Sequence, residues 1–181
     1  MSVGNRINEA LEKLQKKDYE NSLIQICIAL DATSKKEYPN LGPSKRYKKF
    51  IKDNMGFITK VAFAKLEIQS TPKFMLSDGT AHELQDILYK ILRCTLLHEG
   101  KLNKLIIIVE QNQIGSSPSG MFIFSVNLIT SLLFLVIGSE MNKDAVVKGS
   151  HSFNLGNRTI HLSEVLGRKQ QIYNMVKQAN T

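Results

Sequence analysis

Residues 93 to 98 read Arg-Cys-Thr-Leu-Leu-His, an arginine and a histidine with four residues between them, and Glu99 and Gly100 follow directly. Histidine is the side chain whose ordinary pKa lies nearest operating pH, so it can take up or give a proton during a reaction. Arginine stays charged, and its planar fork matches the oxygens of a phosphate, so it can hold negative charge that develops there. Together the two suit proton transfer beside a phosphorus centre. The spacing alone is weak evidence: five arginines, four histidines and three permitted spacings give roughly 0.3 chance matches in this chain. Context has to discriminate.

The context is a helix. Leu84, Ile87, Leu88, Ile91, Leu92, Leu96 and Leu97 recur at helical spacing and predict a wide apolar face central to the core. "TAHE", Thr80 to Glu83, reads as a capping box at its start, with His82 in the first turn, and Gly100 supplies a left-handed residue at its end. Arg93 and His98 therefore fall at the C-terminal end of a core helix. Cations are also favourable there against the helix dipole, so an alternative reading is a capping pair with no chemistry.

The rest of the chain supplies neighbours for that helix. Ile7, Leu11 and Leu14 predict a helix over 5–17, and Asp18 is placed to cap a second one carrying Leu23, Ile24, Cys27, Ile28 and Leu30 to about Ser34. Asp31 is the one acid in that apolar centre. It either orients Arg93 or His98 from the neighbouring helix or sits partly exposed beside Thr33. "YPNLGPS" breaks the pattern, and Ser44 is expected to cap a third helix with Tyr47, Phe50 and Ile51 inward. Residues 57–79 are poorly periodic and read as loop with short strands. "KLIIIVE" predicts a strand, and "SFNLGNRTIHL" predicts a hairpin around Gly156-Asn157 ahead of a last helix from Ser163. "MFIFSVNLITSLLFLVI" is shorter and more polar-interrupted than the roughly twenty apolar residues of a membrane span, so it reads as a buried strand running into a buried helix. The fold class expected is mainly α: a helical bundle over 5–103 with an α+β elaboration over 104–181, in one domain covering 1–181.

Charge points to an anionic partner. The chain carries +8, and seven bases against Glu37 place +6 of it between residues 35 and 52. Lys45, Arg46, Lys48, Lys49 and Lys52 on the third helix are candidate RNA-binding residues; a solvated helix face is the rival reading. Cys27 and Cys94 lie in apolar helical patterns without metal-ligand spacing, which predicts free thiols, no metal and a reducing cytoplasmic setting. "MSVGNRINEA" lacks the apolar stretch of a secretory signal, and "GSSPSG" lacks the Gly-Lys-Ser/Thr ending of a phosphate-binding loop.

The second helix with its "ALDA" centre, the basic third helix and "LYKILRCTLLHEGKL" together resemble the HEPN family (higher eukaryotes and prokaryotes nucleotide-binding domain) over about residues 5 to 103. That resemblance implies a helical bundle. It also implies a metal-independent endoribonuclease without cofactor, working as a homodimer in a toxin or defence setting, sometimes with an antitoxin or other protein partner. Arg93 and His98 would take the catalytic roles, with Asp31, Cys94 and Glu99 supporting. Non-catalytic relatives imply the alternative, a module binding RNA, a nucleotide or a protein partner. Active members often carry a polar residue after the arginine, where this chain has Cys94. A tyrosine two positions after the histidine, modified in some members, is Gly100 here.

Cleavage of RNA by its own 2′-hydroxyl needs a proton acceptor, a proton donor for the leaving 5′-oxygen, and positive charge against the phosphorane. One histidine per chain does not fill both proton roles. Five positions along an α-helix also turn Arg93 and His98 about 140° apart with about 7.5 Å of rise. Two-fold pairing of the helix ends answers both difficulties, which is why a homodimer is expected.

Overall fold

The computed structural model describes residues 2–64, 66–155 and 158–179. The first helices are α1 (Val3–Gln15) and α2 (Tyr19–Glu37), with Asp18 accepting from the Asn21 N–H as the cap of α2. Then come α3 (Pro43–Asp53) and α4 (Met55–Phe63). A short antiparallel hairpin follows, β1 (Lys73–Met75) with β2 (Ala81–Glu83), Phe74 opposite His82.

The central helix is composite. It opens as α5 (Leu84–Asp86), widens into a π-helical stretch at Ile87–Arg93 and closes as α6 (Cys94–Glu99). The Cys94 N–H reaches the Tyr89 carbonyl five residues back, the hydrogen bond that defines the π form. Gly100 ends the helix at φ +67°, a left-handed conformation that a residue without Cβ adopts at no steric cost.

Beyond it, β3 (Ile106–Val109), β4 (Ile114–Ser116) and β5 (Phe122–Ser125) form a sheet in the order β3-β5-β4. β3 runs parallel to β5, and β4 antiparallel. β5 passes straight into α7 (Val126–Gly138), whose first turn is capped by Ser125. A 3-10 turn at Glu140–Asn142, the hairpin β6 (Ser152–Leu155) and β7 (Arg158–His161), then α8 (Leu162–Val165) and α9 (Lys169–Gln178) complete the chain.

The expected class therefore holds at its coarse level: mostly helix, with small sheets. α7 is apolar on nearly every face and packs against α1, α2, α4 and α9, so residues from both halves of the chain share one hydrophobic core. No helix among the described residues is long and apolar enough to cross a membrane.

Four local expectations are corrected. Residues 57–63 are helical, not loop: Met55, Phe57, Ile58 and Ala62 are all buried around α4, which erases the one-sided periodicity by which a helix is recognised. Thr80 does not cap a helix. Its hydroxyl donates to Asp78 Oδ1 at 2.8 Å and meets His82 Nε2 at 2.6 Å, so Thr80 belongs to the β1–β2 turn and His82 to β2. Ser44 lies inside α3, which starts from Gly42 with Pro43 as its first residue. The last helix is broken in two at Gly167, where φ is +73° and a Cβ would stand 2.4 Å from that of Lys143. The predicted hairpin is present as β6 and β7; its turn residues Gly156 and Asn157 lie outside the described residues.

The β1–β2 turn carries a pH prediction. The Thr80 backbone N–H, then the His82 and Thr80 side chains, hold the Asp78 carboxyl down at about 2. A folded pKa below the unfolded value means that this contribution is present above the usual carboxylate range and is lost as pH falls toward 2. Carboxyl-carbon chemical shifts followed through an acid titration are expected to show Asp78 protonating late, and His82→Ala is expected to move its midpoint upward. An ordinary midpoint in the parent protein would contradict this geometry.

Candidate functional site

Three elements converge on one carboxylate. Asp31 projects from α2, Arg46 from α3 and Arg93 from the last residue of the π-helical stretch. Arg93 Nη2 donates to Asp31 Oδ2 at 2.7 Å, and Arg46 Nη2 donates to Asp31 Oδ1 at 3.3 Å. The three side chains are only 16%, 14% and 21% exposed for Arg93, Arg46 and Asp31 respectively. Charge–charge attraction is thus less diluted by water than on an open surface. Burial opposes the Arg93 charge, but the Asp31 carboxylate outweighs it and lifts the guanidinium above its ordinary pKa.

Tyr89 forms the floor beside this cluster. Its ring lies 5.5 Å from the Arg93 guanidinium carbon and 5.8 Å from Lys48 Nζ, both within range of a cation–π attraction. Lys48 is in turn paired with Asp86. Tyr47, fully buried, packs its ring 5.5 Å from that of Tyr89 and brings its hydroxyl to within 3.9 Å of Cys27 Sγ. Burial pushes the Cys27 thiol up to about 12, so it is an inert packing residue rather than a nucleophile. Cys94 is a half-buried free thiol.

His98 lies elsewhere. It is exposed, as are Glu99 and Gly100, at the end of α6. That end is held in place: the Leu102 N–H donates to Glu20 in the first turn of α2, and Asn103 donates to Thr95 Oγ1 at 3.2 Å. Because Cys94–Glu99 is regular α-helix, Arg93 turns inward onto Asp31 while His98 faces outward, as the 100° per residue of the α-helix requires. Within one chain the two do not converge on a single atom.

The lysines of α3 form no uniform free cationic face. Arg46 is committed to Asp31, Lys48 to Asp86, and Lys49 to Asp53 at 2.8 Å. Lys45 and Lys52 remain exposed and make no salt bridge among the described residues, although the Lys52 charge also acts on Asp53. Asp86 and Tyr89 were missed in the sequence, although both precede Arg93 at helical intervals on the same helix. No group of three or more metal-ligating side chains is gathered among the described residues.

Fold and site together define a mainly α domain in which α2, α3 and the central helix are joined by an arginine–carboxylate–arginine cluster, with a solvent-facing histidine further along the central helix. The chain belongs to the Rv1289 family, whose model matches residues 2–181. It is similar to three mycobacterial proteins: uncharacterized protein Mb1320 of Mycobacterium bovis, and uncharacterized proteins MT1327 and Rv1289 of two Mycobacterium tuberculosis strains. Each is 26% identical over 98 residues, covering 51% of this chain and 47% of the relative. The chain thus spans about half the length of the curated relatives it matches. No solved structure matches it.

Proposed function

We propose that the protein is a metal-independent endoribonuclease of HEPN type that acts as a homodimer, with Arg93 and His98 of each chain lining one composite cleft. The observation that carries this reading is the anchoring of Arg93 by Asp31 on the helix that presents His98 to solvent. A fixed guanidinium can meet a phosphate without first losing side-chain freedom. The outward turn of His98 is what a composite site needs, since each histidine then faces the helix end of a second copy across a two-fold axis. Glu99 is exposed next to His98 in the chain, and Cys94 stands where active HEPN members often have a polar side chain. Cytoplasmic placement, RNA as substrate and an antitoxin as further partner belong to the same reading.

The purified protein is expected to sediment as a dimer at micromolar concentration and to cleave single-stranded RNA equally well with and without a chelator. RNA affinity is expected to fall with salt, with a log–log slope of about 0.7 for each phosphate neutralised. A strict monomer, or cleavage abolished by chelation, would remove this mechanism.

One observation favours a second reading. Arg93 is already paired and turned away from His98, as in a non-catalytic HEPN-like module that binds RNA, a nucleotide or a protein partner. Salt-sensitive RNA binding without cleavage would select that module.

A further inference from the structure

We infer that Arg46, Arg93 and Asp31 form a binding site for a single phosphate group, with Arg46 as its second cationic wall. The RNA assignment made for it below rests on the proposed function; the phosphate site itself does not.

The count of charges comes first. Two guanidiniums share one carboxylate, while the nearby Lys48 is neutralised by Asp86, so the cluster keeps an excess of one positive charge. That excess sits among side chains about five-sixths buried, where like charges repel more strongly than at an open surface. An added anion relieves this repulsion.

The count of hydrogen bonds agrees. Asp31 spends one oxygen on each arginine, and each arginine answers through Nη2 alone. A guanidinium has five N–H donors, so most of this donor capacity is uncommitted to the carboxylate. The Nε atoms of both Arg46 and Arg93 are buried without any hydrogen-bond partner. Buried donors left unpaired are costly, so an acceptor with several oxygens, admitted by a small shift of these two side chains, would gain from both forks at once. A phosphate group has that shape, since its oxygens accept from paired N–H groups of an arginine fork.

Position sets the role. Arg46 arrives from α3 and Arg93 from the central helix, so a phosphate held between them would bridge two elements that Asp31 already ties to α2. Asp31 acts through the arginines rather than on the ligand: by taking one Nη2 from each, it fixes the two forks relative to one another. Among the α3 cations, Arg46 is thereby set apart from Lys45 and Lys52, which contribute charge without geometry. On an RNA strand the site would take one backbone phosphodiester, next to the bond that the two-fold pair of His98 side chains addresses.

The test uses the full chain with two probes, inorganic phosphate and a short single-stranded ribo-oligonucleotide. Phosphate is expected to raise the melting temperature of the parent protein in a saturable way. Arg46→Gln should abolish that rise, Arg46→Lys should weaken it because an ammonium lacks the fork, and Lys177→Gln, an exposed charge on α9, should leave it intact. For the oligonucleotide, Arg46→Gln is expected to lower affinity tenfold or more and to reduce the salt slope by about 0.7, the value for one phosphate. Arg46→Lys, which keeps the charge, separates loss of the fork from loss of folding. Equal phosphate responses in the parent, Arg46→Gln and Lys177→Gln proteins would overturn the site. Phosphate protection that depends on Arg46, in a protein that neither binds nor cuts RNA, would uphold the site and defeat the proposed function. RNA binding indifferent to Arg46 would defeat the assignment of this site to an RNA phosphodiester and leave the proposed function standing.

Discussion

His98→Ala is expected to lower RNA cleavage about 10²-fold or more while the melting temperature stays within error of the parent protein. The imidazole is exposed at the end of α6, so its removal opens no cavity and strands no buried partner. If His98 served only the helix dipole, the pattern would reverse: a loss of about 0.3 to 1 kcal/mol in stability with cleavage unchanged. Melting and cleavage measured on one sample therefore separate the two roles. Arg93→Lys should also be impaired, because an ammonium presents a point charge where the fork donates to two oxygens. If cleavage by the parent protein is absent and Cys94→Asn restores it, the missing polar neighbour of Arg93 is the reason.

Asp31→Ala is expected to be the most destabilising change at the site, by about 3 kcal/mol, the lower end of the range for removing one partner of a buried ion pair. The partial exposure of all three side chains keeps the value there. For a chain of this size that corresponds to a fall of about 6 to 12 °C in melting temperature. Arg46→Gln and Arg93→Gln should each cost less, since Asp31 keeps one arginine in either case. Adding Arg46→Gln to Asp31→Ala should recover part of the loss, because it removes one of two guanidiniums left facing each other. A fall below about 1 °C for Asp31→Ala would mean that the cluster is solvated enough to do without its carboxylate.

Much of this architecture could be read from the residues alone, and what could not has identifiable causes. Asp18 capping α2, Gly100 ending the central helix, and the passage from β5 into α7 were legible because each depends on chemistry local to a few neighbours. α4 was not, since a helix buried on most sides loses its apolar stripe. The π-helical stretch was hidden as well, for Leu84, Ile87, Leu88, Ile91 and Leu92 satisfy α-helical spacing while the backbone widens beneath them. At the site, the positions of Arg93 and His98 were legible, and Asp31 stood out as the odd acid in an apolar helix. The partner of Arg46 did not. Five cations within one basic run look alike in sequence, and only the crossing of α3 over α2 decides which of them meets the carboxylate.

The placement of α7 has a bearing on how the protein comes into being. α1 to α4 leave the ribosome before α7, yet the surface that buries α2 and α4 belongs to a helix encoded after residue 125. The early helices must persist with apolar faces uncovered until Val126–Gly138 arrives, and long-range contacts of that kind slow folding and prolong exposure to aggregation. Nascent chains stalled before α7 are therefore the form of this protein most dependent on a chaperone, and the site built from Asp31, Arg46 and Arg93 gains its rigid support only when translation is well past its own residues.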